Sequence, residues 1–228
     1  MTGVQTCALP ICAPGEDGLA ALEALASAVG TQPADARHQE RASETLPAGA
    51  LNAQSIARIL AALIPENGIV VDESITTGRE SMGLTAGAAP HDWLQNMGGS
   101  IGFGTPVAVG AAVACPNRKV IAMIGDGSAM YTIQSLWTMA REGLDICVMI
   151  FSNRSYNILY SQLASVGVPS PGPRAIDMLT LGRPEIDFMG MAKSLGMPGA
   201  QVRDLDELCT QLTYTMSQRG PYLIDVLM

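Results

Sequence analysis

Positive charge is scarce in this sequence. Lys and Arg number 13 against 21 Asp and Glu, a net charge of −8 over 228 residues. That argues against a nucleic-acid binder, which needs a basic stripe for the phosphates. Aromatics make up only 4%, while Gly (24) and Met (13) are plentiful. Such a mix suits helices packed closely on a parallel sheet better than a β-sandwich. No Cys-x-x-Cys pair occurs among Cys7, Cys12, Cys115, Cys147 and Cys209. They read as free thiols of a reducing, cytoplasmic compartment rather than disulfides or a zinc site. The two histidines, His38 and His91, stand alone in polar stretches and read as surface residues. No Gly-x-x-x-x-Gly-Lys-Ser/Thr loop and no Ser-His-Asp arrangement is recognisable.

A long apolar span is missing too. The longest uncharged run, Met97–Pro116, holds five glycines and two prolines. A transmembrane helix needs ~20 apolar residues, so this run reads as a Gly-rich loop feeding a buried helix. Nor is a signal peptide expected. The opening Met1–Ile11 lacks a cationic start and its apolar run is too short. Those eleven residues resemble a translated sequencing-library adapter, which places them outside the natural protein and its true start further upstream. Residues 12–50 read as the remnant of an upstream domain, with a helix at Gly18–Val29 and a polar linker at Gln32–Pro47.

With under a sixth of the residues charged and 48% apolar, the rest can bury a core. Helix and strand patterns alternate from Leu51 to Met228. Helices are expected at Ala53–Ile64, Thr105–Ala114, Ser128–Glu142, Asp187–Leu195 and Leu205–Gln218, from apolar residues recurring at helical spacing. Strands are expected at Ile69–Val71, Lys119–Ile124, Asp145–Phe151 and Tyr222–Leu227. Runs apolar on both faces, separated by helices, indicate an α/β fold: a doubly wound, mostly parallel sheet with helices on both faces. Ligands of such sheets sit beyond the carboxyl ends of the strands. The informative loops are therefore Asp72–Gly78, Gly125–Ser128 and Ser152–Tyr156.

Gly125-Asp126-Gly127-Ser128 follows a strand and opens a helix. Its glycines let backbone N–H groups approach an anion. Asp126 would repel a bare phosphate, so the motif makes sense with a cation between them. A hard divalent ion such as Mg²⁺ takes oxygens from a carboxylate, carbonyls and a diphosphate. Asn153 follows 27 residues later at the end of the next strand, one strand–helix–strand unit away.

Gly-Asp-Gly followed at this spacing by Ser152-Asn153 resembles the thiamine-diphosphate-binding C-terminal domain of thiamine-diphosphate enzymes. The likeness is to the acetolactate synthase large-subunit and benzoylformate decarboxylase branch, over residues 51–228. The family pattern ends in Asn-Asn, so Ser152 is a departure. The resemblance implies that Asp126 and Asn153 give side-chain oxygens, and Ser155 a carbonyl, to Mg²⁺. Met97–Gly104 matches a second family segment. There Ile101 would be the wedge that folds the cofactor, with Ser100 beside it, and Gly99 would offer its carbonyl to the pyrimidine amino group. Asp72–Thr77 matches a third, with Thr76 a diphosphate ligand and Ile75 standing where a hydroxyl is usual. Glu73 there reads equally as a supporting group or a solvated loop residue. Gly125, Gly127, Ser128 and Ala129 would line the diphosphate, and Tyr156 the substrate pocket. The implied chemistry is 2-oxo acid decarboxylation with carboligation; a decarboxylase without carboligation, or a non-catalytic diphosphate-binding module, stays open. No catalytic residue is expected within the chain, because the family's activating glutamate belongs to an N-terminal domain. A homodimeric or homotetrameric parent is implied, and FAD in that parent is admitted.

Overall fold

The computed structural model describes residues 15–30, 40–41 and 45–228. The adapter-like Met1–Ile11, Cys7, Cys12, His38 and most of the expected linker lie outside the described residues. In chain order the elements are α1 (Gly18–Val29), α2 (Ala53–Leu63), β1 (Ile69–Glu73), α3 (Ser81–Leu84), β2 (Asp92–Gln95), α4 (Gly104–Ala114), β3 (Val120–Gly125), α5 (Asp126–Thr132), α6 (Ser135–Glu142), β4 (Ile146–Ser152), α7 (Asn157–Ser165), α8 (Pro173–Leu179), α9 (Phe188–Ser194), β5 (Gly199–Val202), α10 (Leu205–Ser217) and β6 (Tyr222–Leu227). Helix α1 belongs to a separate unit. It is capped by Asp17, whose side chain accepts the N–H groups of Leu19 and Ala20, and none of its residues is buried.

The six strands form one sheet in the order β2-β1-β3-β4-β6-β5. Every pairing is parallel. The expectation of a mostly parallel sheet is met by an entirely parallel one. Alternation along each strand divides the core in two. In β3 and β4, Val120, Ala122, Ile124, Ile146, Val148 and Ile150 pack on one side with α4, α5, α6 and α9. Ile121, Met123, Cys147, Met149 and Phe151 pack on the other with α2 and α10. Ile56, Ile59 and Leu60 of α2 are almost wholly buried, each contributing about 1.5–3 kcal/mol of burial. Cys115, Cys147 and Cys209 are free thiols. Among the described residues no helix is long and apolar enough to cross a membrane.

Two differences from the sequence pattern matter. The single helix expected over Ser128–Glu142 is broken into α5 and α6 at Ile133-Gln134. The carbonyl of Thr132, which would receive the next helical bond, accepts the Thr105 hydroxyl at 3.2 Å instead. Leu136 N–H turns to Ile133 O at 3.1 Å, a tighter bond that ends the α-helical run. The helix also starts earlier, at Asp126. The second difference is β2 and β5, which have no counterpart in the expected strands. Both are four-residue edge strands without a continuous apolar run, and β2 is mostly exposed.

Candidate cofactor-binding site

The carboxyl ends of β1, β3 and β4 place their following loops side by side. In register, Glu73 lies against Ile124, and Gly125 against Phe151. The loops enclose a cleft of about 430 Å³. Of the residues expected at a site, Thr76, Ile101, Gly125, Asp126, Gly127, Ser128, Asn153, Ser155 and Tyr156 line it. Gly99 lines a neighbouring cavity of about 400 Å³, which shares Ile75, Ile101 and Ile158 with the first. Ser100 and Ala129 line neither. Ser100 is exposed, its N–H donating to Asn96 Oδ1 at 2.9 Å. Ala129 is fully buried in the core.

Asp126 is the buried charge of the cleft. Its Oδ1 accepts Gly127 N–H at 2.8 Å and its Oδ2 accepts Arg154 N–H at 2.6 Å. Arg154 adopts a left-handed backbone (φ 57°) that aims its N–H back toward α5. Burial pushes the Asp126 carboxyl above the usual aspartate range, against the pull of those N–H donors. The Arg154 guanidinium is engaged by Glu185. Among the described residues Asp126 makes no ion pair. Asn153 Oδ1 accepts Ser155 N–H at 2.9 Å, an Asx turn that presents the amide oxygen at the same cleft.

The donor set suits a hard cation. A carboxylate has about four lone-pair sites and the two N–H bonds use only two. No group of three or more His, Cys, Asp or Glu side chains converges among the described residues, so an ion held here would need its remaining ligands from amide, carbonyl or phosphate oxygens, which suit Mg²⁺. Gly125 lies beside Asp126 at the cleft. A Cβ there would meet nothing nearer than Glu73 O at 3.8 Å. With Ser128 Oγ at 3.8 Å and Ser74 O at 3.9 Å as well, a Cβ there would make only ordinary contacts.

Three features were not evident from the motifs. Ser152 does not bond locally. Its hydroxyl donates to Asp225 Oδ1 at 2.5 Å, and Gln201 Nε2 donates to Asp225 Oδ2 at 2.9 Å. Asp225, as the lone charge in the apolar strand Tyr222–Leu227, was the available signal. Ile75 holds φ 52°, a left-handed conformation rare for a β-branched residue and costing of order 1–3 kcal/mol. Glu73 is 1% exposed, so the solvated alternative is overturned. Its neighbour Asp72 is also buried, accepting Ser74 N–H at 2.9 Å and Ser74 Oγ–H at 2.5 Å. His91 is half-buried against Trp93, its Nδ1 2.7 Å from Ala89 O.

Burial raises the Asp72 carboxyl above its ordinary value of 3.8, outweighing its hydrogen bonds from Ser74. A carboxyl raised on folding contributes stability present below the unfolded value and lost as pH rises through the folded one. The stability difference between the wild type and Asp72→Asn should therefore fall as pH rises. Denaturant unfolding at about pH 4.5 and about pH 7.5 checks the sign, which is opposite to that of a salt-bridged aspartate.

Residues 78–226 match the family described as "Thiamine pyrophosphate enzyme, C-terminal TPP binding domain". The chain belongs to this family. It is 48% identical over 182 residues to the "Putative acetolactate synthase large subunit IlvX" of Mycobacterium tuberculosis, covering 79% of this chain and 35% of that protein. It is 32% identical over 179 residues to the benzoylformate decarboxylase of Pseudomonas aeruginosa, covering 78% and 32%. The structure of a thiamine diphosphate-dependent 4-hydroxybenzoylformate decarboxylase from Rhodococcus jostii superposes with a TM-score of 0.72 at 27% identity, covering 92% of this chain and 39% of that one. The chain thus spans about a third of the length of these relatives. As a TPP-binding domain of this family, it carries Gly125-Asp126-Gly127 and Asn153 at one cleft.

Proposed function

We propose that residues 51–228 hold the diphosphate end of thiamine diphosphate through Mg²⁺, as the cofactor domain of an acetolactate synthase-like enzyme acting on 2-oxo acids. The observation that carries this reading is the convergence of Asp126, Asn153 and Ser155, from the ends of β3 and β4, on one cleft. Asp126 and Asn153 would supply side-chain oxygens to the metal, and Ser155 its carbonyl. Thr76, Gly125, Gly127 and Ser128 would face the diphosphate, with Ile101 at the opposite wall. Gly99, Ser100 and Ala129 would act through their backbone. When bound, the cofactor supplies an electron sink for the carbon–carbon bond cleavage of a 2-oxo acid.

The chain's own residues contribute position and electrostatics. Asp126 would hold the cation with its buried carboxylate, and the ion so held would supply the charge that a diphosphate needs beside an aspartate. For the described residues of the cleft the role proposed is orientation, not proton transfer. The carboligating outcome is favoured over simple decarboxylation by the higher identity to the acetolactate synthase relative. The parent enzyme would act as a homodimer or homotetramer in the cytoplasm.

Calorimetric titration of the 228-residue chain is the direct test. Thiamine diphosphate should bind in the presence of Mg²⁺ and lose that binding when the metal is chelated. NAD should not bind under either condition. The chain alone should release no CO₂ from pyruvate. Metal-independent binding, preference for NAD, or turnover of pyruvate by these residues would each overturn the reading.

A further inference from the structure

We propose that Glu73 is a positioning residue that fixes Ile101 at the wall of the cleft; this rests on the reading of Ile101 as a cofactor-facing side chain. Glu73 ends β1, one residue before the cleft-lining Ser74, Ile75 and Thr76. Its side chain crosses to the Gly-rich loop before α4 and accepts two backbone N–H groups. Oε1 receives Gly102 N–H, and Oε2 receives Gly104 N–H at 2.5 Å. Ile101 immediately precedes the first of these donors.

The loop is built to admit this carboxylate. A Cβ on Gly104 would lie 2.7 Å from Glu73 Oε2 and 2.4 Å from the buried Ile124 Cδ1. Gly102 is held from the other side as well. Its carbonyl accepts the Thr132 hydroxyl at 2.8 Å, and a Cβ there would lie 2.6 Å from Tyr131 Cβ. Thr132 closes α5, the helix that Asp126 opens. Gly102, the residue after Ile101, is therefore tied by its N–H to Glu73 of β1 and by its C=O to Thr132 of α5. Ile101 itself is 48% exposed, so core packing does not fix it, and this backbone clamp does.

Glu73→Gln tests this, since the amide keeps one acceptor oxygen and turns an N–H₂ toward the other donor. In the 228-residue chain without cofactor, hydrogen exchange at the Gly102 and Gly104 amides should quicken at least about tenfold. Exchange at Gly127 and Arg154 should stay as in the wild type, and the Ile101 methyl resonances should shift. Unchanged protection at Gly102 and Gly104, or quickening spread evenly over the chain, would overturn the proposal. Should Glu73→Gln not fold, Glu73→Asp keeps the charge, shortens the reach and is read the same way. Binding of Mg²⁺–thiamine diphosphate then separates positioning from general damage. Glu73→Gln should weaken it about tenfold in the wild-type background and less than twofold when Ile101 is already alanine. Equal losses in both backgrounds would contradict action through Ile101. If the wild-type chain binds no thiamine diphosphate, the functional reading fails while the exchange and methyl measurements still decide the clamp.

Discussion

Asp126→Ala is expected to weaken Mg²⁺-dependent binding of thiamine diphosphate by at least ~100-fold, the upper end of what even an outer partner of a metal ligand costs. The reason lies in how the carboxylate is set. It is 4% exposed, anchored by the N–H groups of Gly127 and Arg154, and held above the usual aspartate range by burial. The site tolerates an unfavourable charge that a cation would offset. Alanine removes the charge, and a diphosphate then has no bridging ion. Asn153 alone offers a neutral amide oxygen, a much weaker ligand for a hard cation. Thermal denaturation provides the readout. Wild-type chain at ~100 times its dissociation constant gains about 2.7 kcal/mol from ligand, and the variant should gain almost none. The variant's ligand-free stability should stay near the wild type, because relief of a desolvated charge counters the loss of an acceptor for two N–H groups. A variant that keeps its Mg²⁺-dependent gain would show that the cation sits elsewhere.

The sequence made the central part of this protein readable because its central strands are apolar on both faces and its helices are amphipathic. β6 and α1 begin and end where the pattern placed them. The Gly-Asp-Gly and Ser-Asn segments pointed to one sheet edge because a parallel sheet puts successive strand ends together. What stayed hidden depends on contacts between residues far apart in sequence. Thr105 interrupts the α5–α6 helix from 27 residues away. Glu73 bonds to Gly102 and Gly104 across 29 and 31 residues, and no local pattern distinguishes it from a solvated loop carboxylate. Ser152 departs from the family's asparagine, yet its partner Asp225 lies 73 residues on. The left-handed Ile75 runs against local preference, so a propensity argument points away from the observed turn.

Gly127→Ala is expected to destabilise the chain by about 1–3 kcal/mol, the usual cost of overfilling a packed site. This follows from a contact that the Gly-Asp-Gly motif does not disclose. A Cβ at Gly127 would lie 2.6 and 2.7 Å from Cε1 and Cδ1 of the Tyr156 ring. The backbone that carries the ring is pinned, so relief has to come from turning the ring about its own side-chain bonds. Tyr156 N–H donates to Leu179 O at 2.9 Å, Leu181 N–H donates to Arg154 O at 2.7 Å, and Ser155 bridges Thr180. Gly127 thus serves the fold by letting the segment after β4 close over α5, which also seats Asn153 beside Asp126. The test is a cycle with Tyr156→Ala, followed by denaturant unfolding of all four proteins. Once the ring is gone the clash disappears, and alanine within α5 should then be neutral or stabilising by up to about 1 kcal/mol, its intrinsic helical advantage over glycine. The sign of the Gly127→Ala effect should therefore reverse between the two backgrounds. Equal destabilisation in both would mean that the fold requires the glycine for some contact other than Tyr156.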